Sequence, residues 1–99
     1  VEAMWLMLQH ERPDDYVIAT SESNSLQDFV AAVFAALDLD WRKHVTTDSS
    51  LRRPVDIERS CGNAEKARRA LGWVAQYKMR DVAAAMVRHE LKTLKQVVL

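Results

Sequence analysis

The sequence predicts an α/β fold that is mostly helical, with short strands and no extensive sheet. Apolar residues recur at helical spacing in two long stretches, near residues 26–37 and 80–97. Two short β-branched runs, Tyr16-Val17-Ile18-Ala19 and Val45-Thr46-Thr47, read as strands. Polar breaks, two of them carrying proline, separate these stretches.

The opening segment Val1-Glu2-Ala3-Met4-Trp5-Leu6-Met7-Leu8 is dense enough in apolar residues for a buried helix ending near Gln9. Nothing before it resembles an N-cap, so the chain is expected to be a piece of something longer. Pro13 breaks the helix and disfavours helical backbone at Arg12. Tyr16–Ala19 is expected as a buried strand. The polar loop Ser21-Glu22-Ser23-Asn24 follows at its C-terminal end, where open α/β proteins usually place their ligand loops. Ser25 stands three residues before Asp28, close to a capping box. Leu26, Phe29, Val30, Val33, Phe34 and Leu37 then form one helical stripe, read as core. Asp38–Trp41 is expected to turn, Val45–Thr47 to form a second short strand, and the chain after Pro54 to run extended through Ile57. Asn63 can cap a short helix with Ala64, Ala67 and Leu71 inward, and Gly72 suits a left-handed C-terminal position. Arg80 to Val97 reads as a long helix whose inner side carries Val82, Ala83, Met86, Val87, Leu91 and Leu94. Lys92 and Lys95 suit the negative pole of its dipole.

Composition narrows the function. The chain has 99 residues, 48% hydrophobic and 28% charged, too apolar for a disordered segment. At this length roughly two-thirds of the chain's surface can be buried, so an independent core is modest. Its 14 basic and 14 acidic side chains cancel, which argues against a sequence-tolerant nucleic-acid binder. No apolar run approaches the about 20 residues of a spanning helix, so no membrane partner is expected. The single cysteine, Cys61, cannot form an internal disulfide and suits a cytoplasmic location. With only Gly62 and Gly72, neither a three-glycine dinucleotide fingerprint nor a P-loop is possible. Tyr16 is followed four residues on by Thr20, and Tyr77 by Asp81, so the Tyr/Lys dyad of short-chain dehydrogenases is absent. His10, His44 and His89 are scattered, and no metal site is expected.

Pro13-Asp14-Asp15-Tyr16-Val17-Ile18-Ala19-Thr20 and Ser25-Leu26-Gln27-Asp28-Phe29-Val30 resemble, in this order, a P-[DE]-[DE]-[YF]-V-I-A-T stretch and an S-V-R-E-F-V helix start near the end of the GDP-mannose 4,6-dehydratase family. Leu39-Asp40-Trp41 is similar to its L-D-W turn, Arg53-Pro54-Val55-Asp56 to its R-P-x-E stretch, and Leu71-Gly72-Trp73 to its L-G-W. Ser21 stands where the family has glycine, Asn24 where it often has histidine, and Asp56 where it has glutamate.

The resemblance implies that residues 1–99 are the C-terminal nucleotide-sugar-binding region of a larger two-domain enzyme, without that enzyme's N-terminal Rossmann domain. It implies that Arg53 binds the GDP moiety and that Asp56 reaches its ribose or base. From residues alone Arg53 reads rather as a solvated surface arginine, with Arg52 beside it, and it is the motif in register that favours the ligand role. Asp28, Glu22 and Ser23 are weaker candidates, and Trp41 and Trp73 read as core or domain-closure residues. The parent enzyme, so implied, oxidises the mannose ring with NADP, eliminates water and returns the hydride, giving GDP-4-keto-6-deoxymannose. No catalytic residue of that reaction is expected in this chain, which alone would be inactive. The alternative is a stand-alone binding or assembly module derived from the family; an unrelated helical interaction domain would explain the helices but not the ordered motifs. Either way, uncovered apolar faces predict a homo-oligomer.

Overall fold

The computed structural model describes residues 1–97. Among them are four α-helices: α1 (Glu2–Gln9), α2 (Leu26–Ala36), α3 (Glu65–Leu71) and α4 (Met79–Val97). Single-turn 3-10 helices lie at Trp41–Lys43 and Ser49–Leu51. The expected α/β class is therefore incorrect: the described residues contain no strand, and the fold is all-helical. The physical reason is pairing. Tyr16–Ala19, Val45–Thr47 and the stretch after Pro54 lack helical structure, but none makes the backbone ladder that turns an extended segment into a strand.

The chain divides into two compact units. One joins Val1–Ser23 to Arg59–Lys78; the other joins Asn24–Glu58 to the stretch from Met79.

In the first unit α1 packs against α3. Its buried residues are Ala3, Ala64 and Ala67, small side chains that let the two backbones approach. The opening helix is less buried than its composition suggests. Val1, Met4, Trp5 and Leu8 share a face at helical spacing and stay exposed, Trp5 at 60%. Lys66 ties the Pro13–Tyr16 stretch to α3: its Nζ donates to the Asp15 carbonyl at 2.8 Å, pairs with Asp14 at 2.9 Å and lies 5.1 Å from the Tyr16 ring centroid. Gly62 lies so close to Ala19 that an added Cβ would sit 2.6 Å from the alanine's own. The start of α3 is capped twice. Asn63 Oδ1 accepts from the Glu65 N–H at 3.0 Å, and Ser21 Oγ from the Ala64 N–H at 3.1 Å. Its end is closed by Gly72, left-handed at φ 68°, as the glycine's position predicts.

In the second unit the expected capping box is complete. The Asp28 N–H donates to Ser25 Oγ at 3.0 Å, and the Ser25 N–H to Asp28 Oδ2 at 3.1 Å. α2 packs on α4, where Ala83 and Val87 are buried. Phe29, Val30, Val33 and Phe34 are half-buried, but Leu26 is 78% exposed and falls outside the core. Asp38, left-handed at φ 56°, reverses the chain after α2, and Phe34 stacks on His44 with centroids 5.5 Å apart. An apolar groove of ≈ 320 Å³ runs between the helices, lined by residues such as Phe29, Val33, Met86, Leu91 and Leu94.

Candidate functional site

The segment carrying Arg53 is shaped by local hydrogen bonds. Asp48 Oδ1 accepts from the Ser50 N–H at 2.9 Å and from its hydroxyl at 2.7 Å, which starts the 3-10 turn Ser49–Leu51. The Ser50 hydroxyl, and then its N–H, hold the Asp48 carboxyl below the usual carboxylate range. The Arg52 N–H closes the turn on the Ser49 carbonyl at 3.2 Å, and Arg52 itself is extended. Pro54 then fixes its own φ and disfavours helical backbone at Arg53. A capped turn followed by a stiffened corner presents Arg53 outward.

Arg53 and Asp56 come together. Arg53 Nη2 lies 3.4 Å from both Oδ1 and Oδ2 of Asp56, and the Ile57 N–H donates to Oδ1 at 2.9 Å. The two side chains are 75% and 61% exposed. A guanidinium offers a planar fork of five donors, and Nη2 alone faces the carboxylate. Such a pair can meet an anion and a donor-bearing group side by side. The weaker candidates have other roles. Asp28 caps α2, and its carboxyl is held low first by the Ser25 side chain. Glu22 Oε1 lies 4.0 Å from Lys78 Nζ. Trp41 is half-buried, with the Arg42 guanidinium 5.3 Å from its ring centroid, and Trp73 is half-buried in the first unit.

The sequence pattern gives no hint of the role of Lys78. Its Nζ donates to the Thr20 carbonyl at 2.7 Å, and with Ser21, Arg68 and Trp73 it lines a cavity of ≈ 190 Å³. A second cavity of the same unit, ≈ 320 Å³, lies between the Ile18–Thr20 and Trp73–Tyr77 segments. No periodicity marks a lysine 58 positions from its acceptor. The replacement of glycine by Ser21 is the one visible signal near this place: Ser21 keeps a left-handed φ of 61° despite its side chain. Among the described residues no group of three or more His, Cys, Asp or Glu side chains could hold a metal ion, and no helix is long and apolar enough to cross a membrane.

Comparison with known proteins matches residues 1–86 to the family described as GDP-mannose 4,6 dehydratase. The chain is 41% identical over 96 residues to GDP-mannose 4,6 dehydratase 1 of Arabidopsis thaliana, covering 97% of this chain and 27% of that protein. Identity is 33% over 112 residues with GDP-mannose 4,6 dehydratase of Dictyostelium discoideum, covering 96% of this chain and 32% of the relative. With that of Homo sapiens it is 30% over 112 residues, covering 96% and 30%. The chain thus spans roughly a third or less of the length of these relatives. A family match over most of its residues, in the order its motifs run, makes this chain a member of the GDP-mannose 4,6-dehydratase family.

Proposed function

We propose that residues 1–99 form the C-terminal, GDP-gripping region of a GDP-mannose 4,6-dehydratase, with Arg53 and Asp56 at the ligand. The observation that carries this reading is the exposed Arg53–Asp56 pair, held on a capped and proline-stiffened segment of a chain in that family. Arg53 supplies permanent positive charge and planar donors for a diphosphate oxygen. Asp56 supplies an acceptor for ribose hydroxyls or guanine N–H groups, one methylene shorter than the glutamate of the family pattern.

In this reading the complete enzyme converts GDP-mannose to GDP-4-keto-6-deoxymannose with NADP, works in the cytoplasm and assembles as a homo-oligomer. NADP has no fit in this chain: Gly62 packs against Ala19 and Gly72 ends α3, so neither belongs to a phosphate-cradling loop. In this reading the hydride chemistry belongs to a Rossmann domain outside these residues, and the chain alone is expected to be inactive. A second reading is a non-catalytic binding or assembly module derived from the same family.

Calorimetric titration with GDP and GDP-mannose tests the grip. Arg53→Ala is expected to weaken both ligands by about 2 kcal/mol, the loss of one charge-assisted contact. Equal affinity in wild type and variant removes Arg53 from the site. Dehydratase turnover by the pure 99-residue chain would overturn the assignment of catalysis elsewhere.

A further inference from the structure

We infer that the apolar groove between α2 and α4 docks a second copy of this chain, and that the occupant is the C-terminal half of the partner's α4. This rests on the homo-oligomer proposed above and gives it a surface and a direction.

The groove, ≈ 320 Å³, suits a helix better than a polar ligand. Phe29 and Val33 of α2 line it with Leu37 just beyond them, opposite Leu91 and Leu94 of α4. Packing against α2 buries Ala83 and Val87, but the next turns of α4 run on with Leu91 and Leu94 exposed. Among the described residues Glu90 is the one charged side chain in the lining. Leu91 and Leu94 form a short seam on α4, with Glu90 on one flank and Lys95 on the other. Among the described residues neither flanking charge makes a side-chain hydrogen bond or ion pair.

Charge selects the occupant. A segment that covers the seam and answers Glu90 brings exposed apolar side chains with a cation beside them. The C-terminal half of α4 has both, in Leu91, Leu94 and Lys95. The exposed face of α1 is apolar too, but the one charge within that helix is Glu2, which would set a carboxylate against Glu90. Direction follows from the same flanks. When two α4 helices run the same way, Glu90 of each meets Lys95 of the other, five residues on, as flanking charges pair across a parallel helical seam. When they run in opposite directions, acidic flank lies against acidic flank and basic against basic. The parallel pair is two-fold and closed, each copy giving one helix end and receiving one. Its apolar contacts are few against the roughly 20–30 residues a side of a standard interface, so the dimer is reversible.

The test is sedimentation equilibrium of the 99-residue chain over a concentration series. The proteins are wild type, Glu90→Lys, Lys95→Glu, the double variant that swaps the two charges, and Trp5→Ala, each checked for unchanged far-UV circular dichroism. Either single reversal is expected to weaken dimerisation about tenfold, because two attractive pairs become repulsive. The double variant is expected to return to within about threefold of wild type, and Trp5→Ala to stay within about twofold. Single reversals that leave dimerisation unchanged, or a double variant as weak as the singles, overturn the inference. If Trp5→Ala abolishes association and the reversals do not, α1 carries it: the homo-oligomer stands and the groove does not. A wild type that stays monomeric at every concentration also removes the groove as an interface, and leaves assembly to the rest of the complete enzyme.

Discussion

Ser21 shows how one side chain can occupy a backbone position that favours glycine. Its φ of 61° is left-handed, costing about 1–2 kcal/mol for a residue with a Cβ. Its hydroxyl offsets that cost by accepting the Ala64 N–H at 3.1 Å, an orphan donor at the start of α3. The two effects separate by substitution. Ser21→Ala keeps the strain and loses the bond, so it should destabilise by about 1 kcal/mol. Ser21→Gly loses the same bond but relieves the strain, so it should lie within about 1 kcal/mol of wild type and above the alanine variant. Urea unfolding of the two variants checks the order; an alanine variant as stable as the glycine one removes the hydroxyl from the account.

Among the helices, α2 is the most completely specified by its own sequence. Ser25 and Asp28 close a reciprocal cap, and their spacing alone predicts it. Ser25→Ala should cost about 1 kcal/mol of stability. The cap also sets an acid response. The Ser25 hydroxyl and N–H lower the Asp28 pKa, Lys66 lowers that of Asp14, the Ser50 hydroxyl that of Asp48, and Arg68 that of Glu65. A carboxylate whose pKa falls on folding stabilises the folded chain above its ordinary value of about 4. That stabilisation is lost as pH falls through the lower folded-state value. Helicity followed by circular dichroism is therefore expected to hold at neutral pH and to fall below about pH 4, with Ser25→Ala losing it at higher pH than wild type. Coincident acid transitions in the two proteins would exclude the cap from the acid response.

At the scale of the whole molecule, the buried residues are few and small. Ala3, Ala64 and Ala67 lie in one unit and Ala83 and Val87 in the other, while no large side chain is fully buried among the described residues. Each unit leaves an apolar surface open: Met4, Trp5 and Leu8 on α1, and Met86, Leu91 and Leu94 along α4. Uncovered faces of this kind favour association. The chain alone is expected to sediment as a species heavier than its 11.3 kDa monomer at high concentration. A monomer over the whole concentration range would remove the exposed faces as drivers of assembly.

Much of this protein is legible in its residues alone. The cap of α2, the left-handed Gly72, the end of α1 at Gln9 and the start of α4 within one residue follow from local rules, because caps, glycine closures and helical periodicity act over neighbouring turns. The order of motifs places the chain in its family. The failures have a common cause in distance along the chain. Tyr16–Ala19 has the β-branched composition of a strand, yet a strand exists only when another segment supplies its ladder. The stripe of α2 names Leu26 as core, yet burial requires a partner surface at that turn, and Leu26 finds none within its unit. Residue types and spacing determined which helices form and where the arginine and aspartate candidates lie. Only the tertiary structure decided that no ladder forms among the described residues and that Lys78 reaches Thr20, since each depends on where the backbone brings atoms distant in sequence.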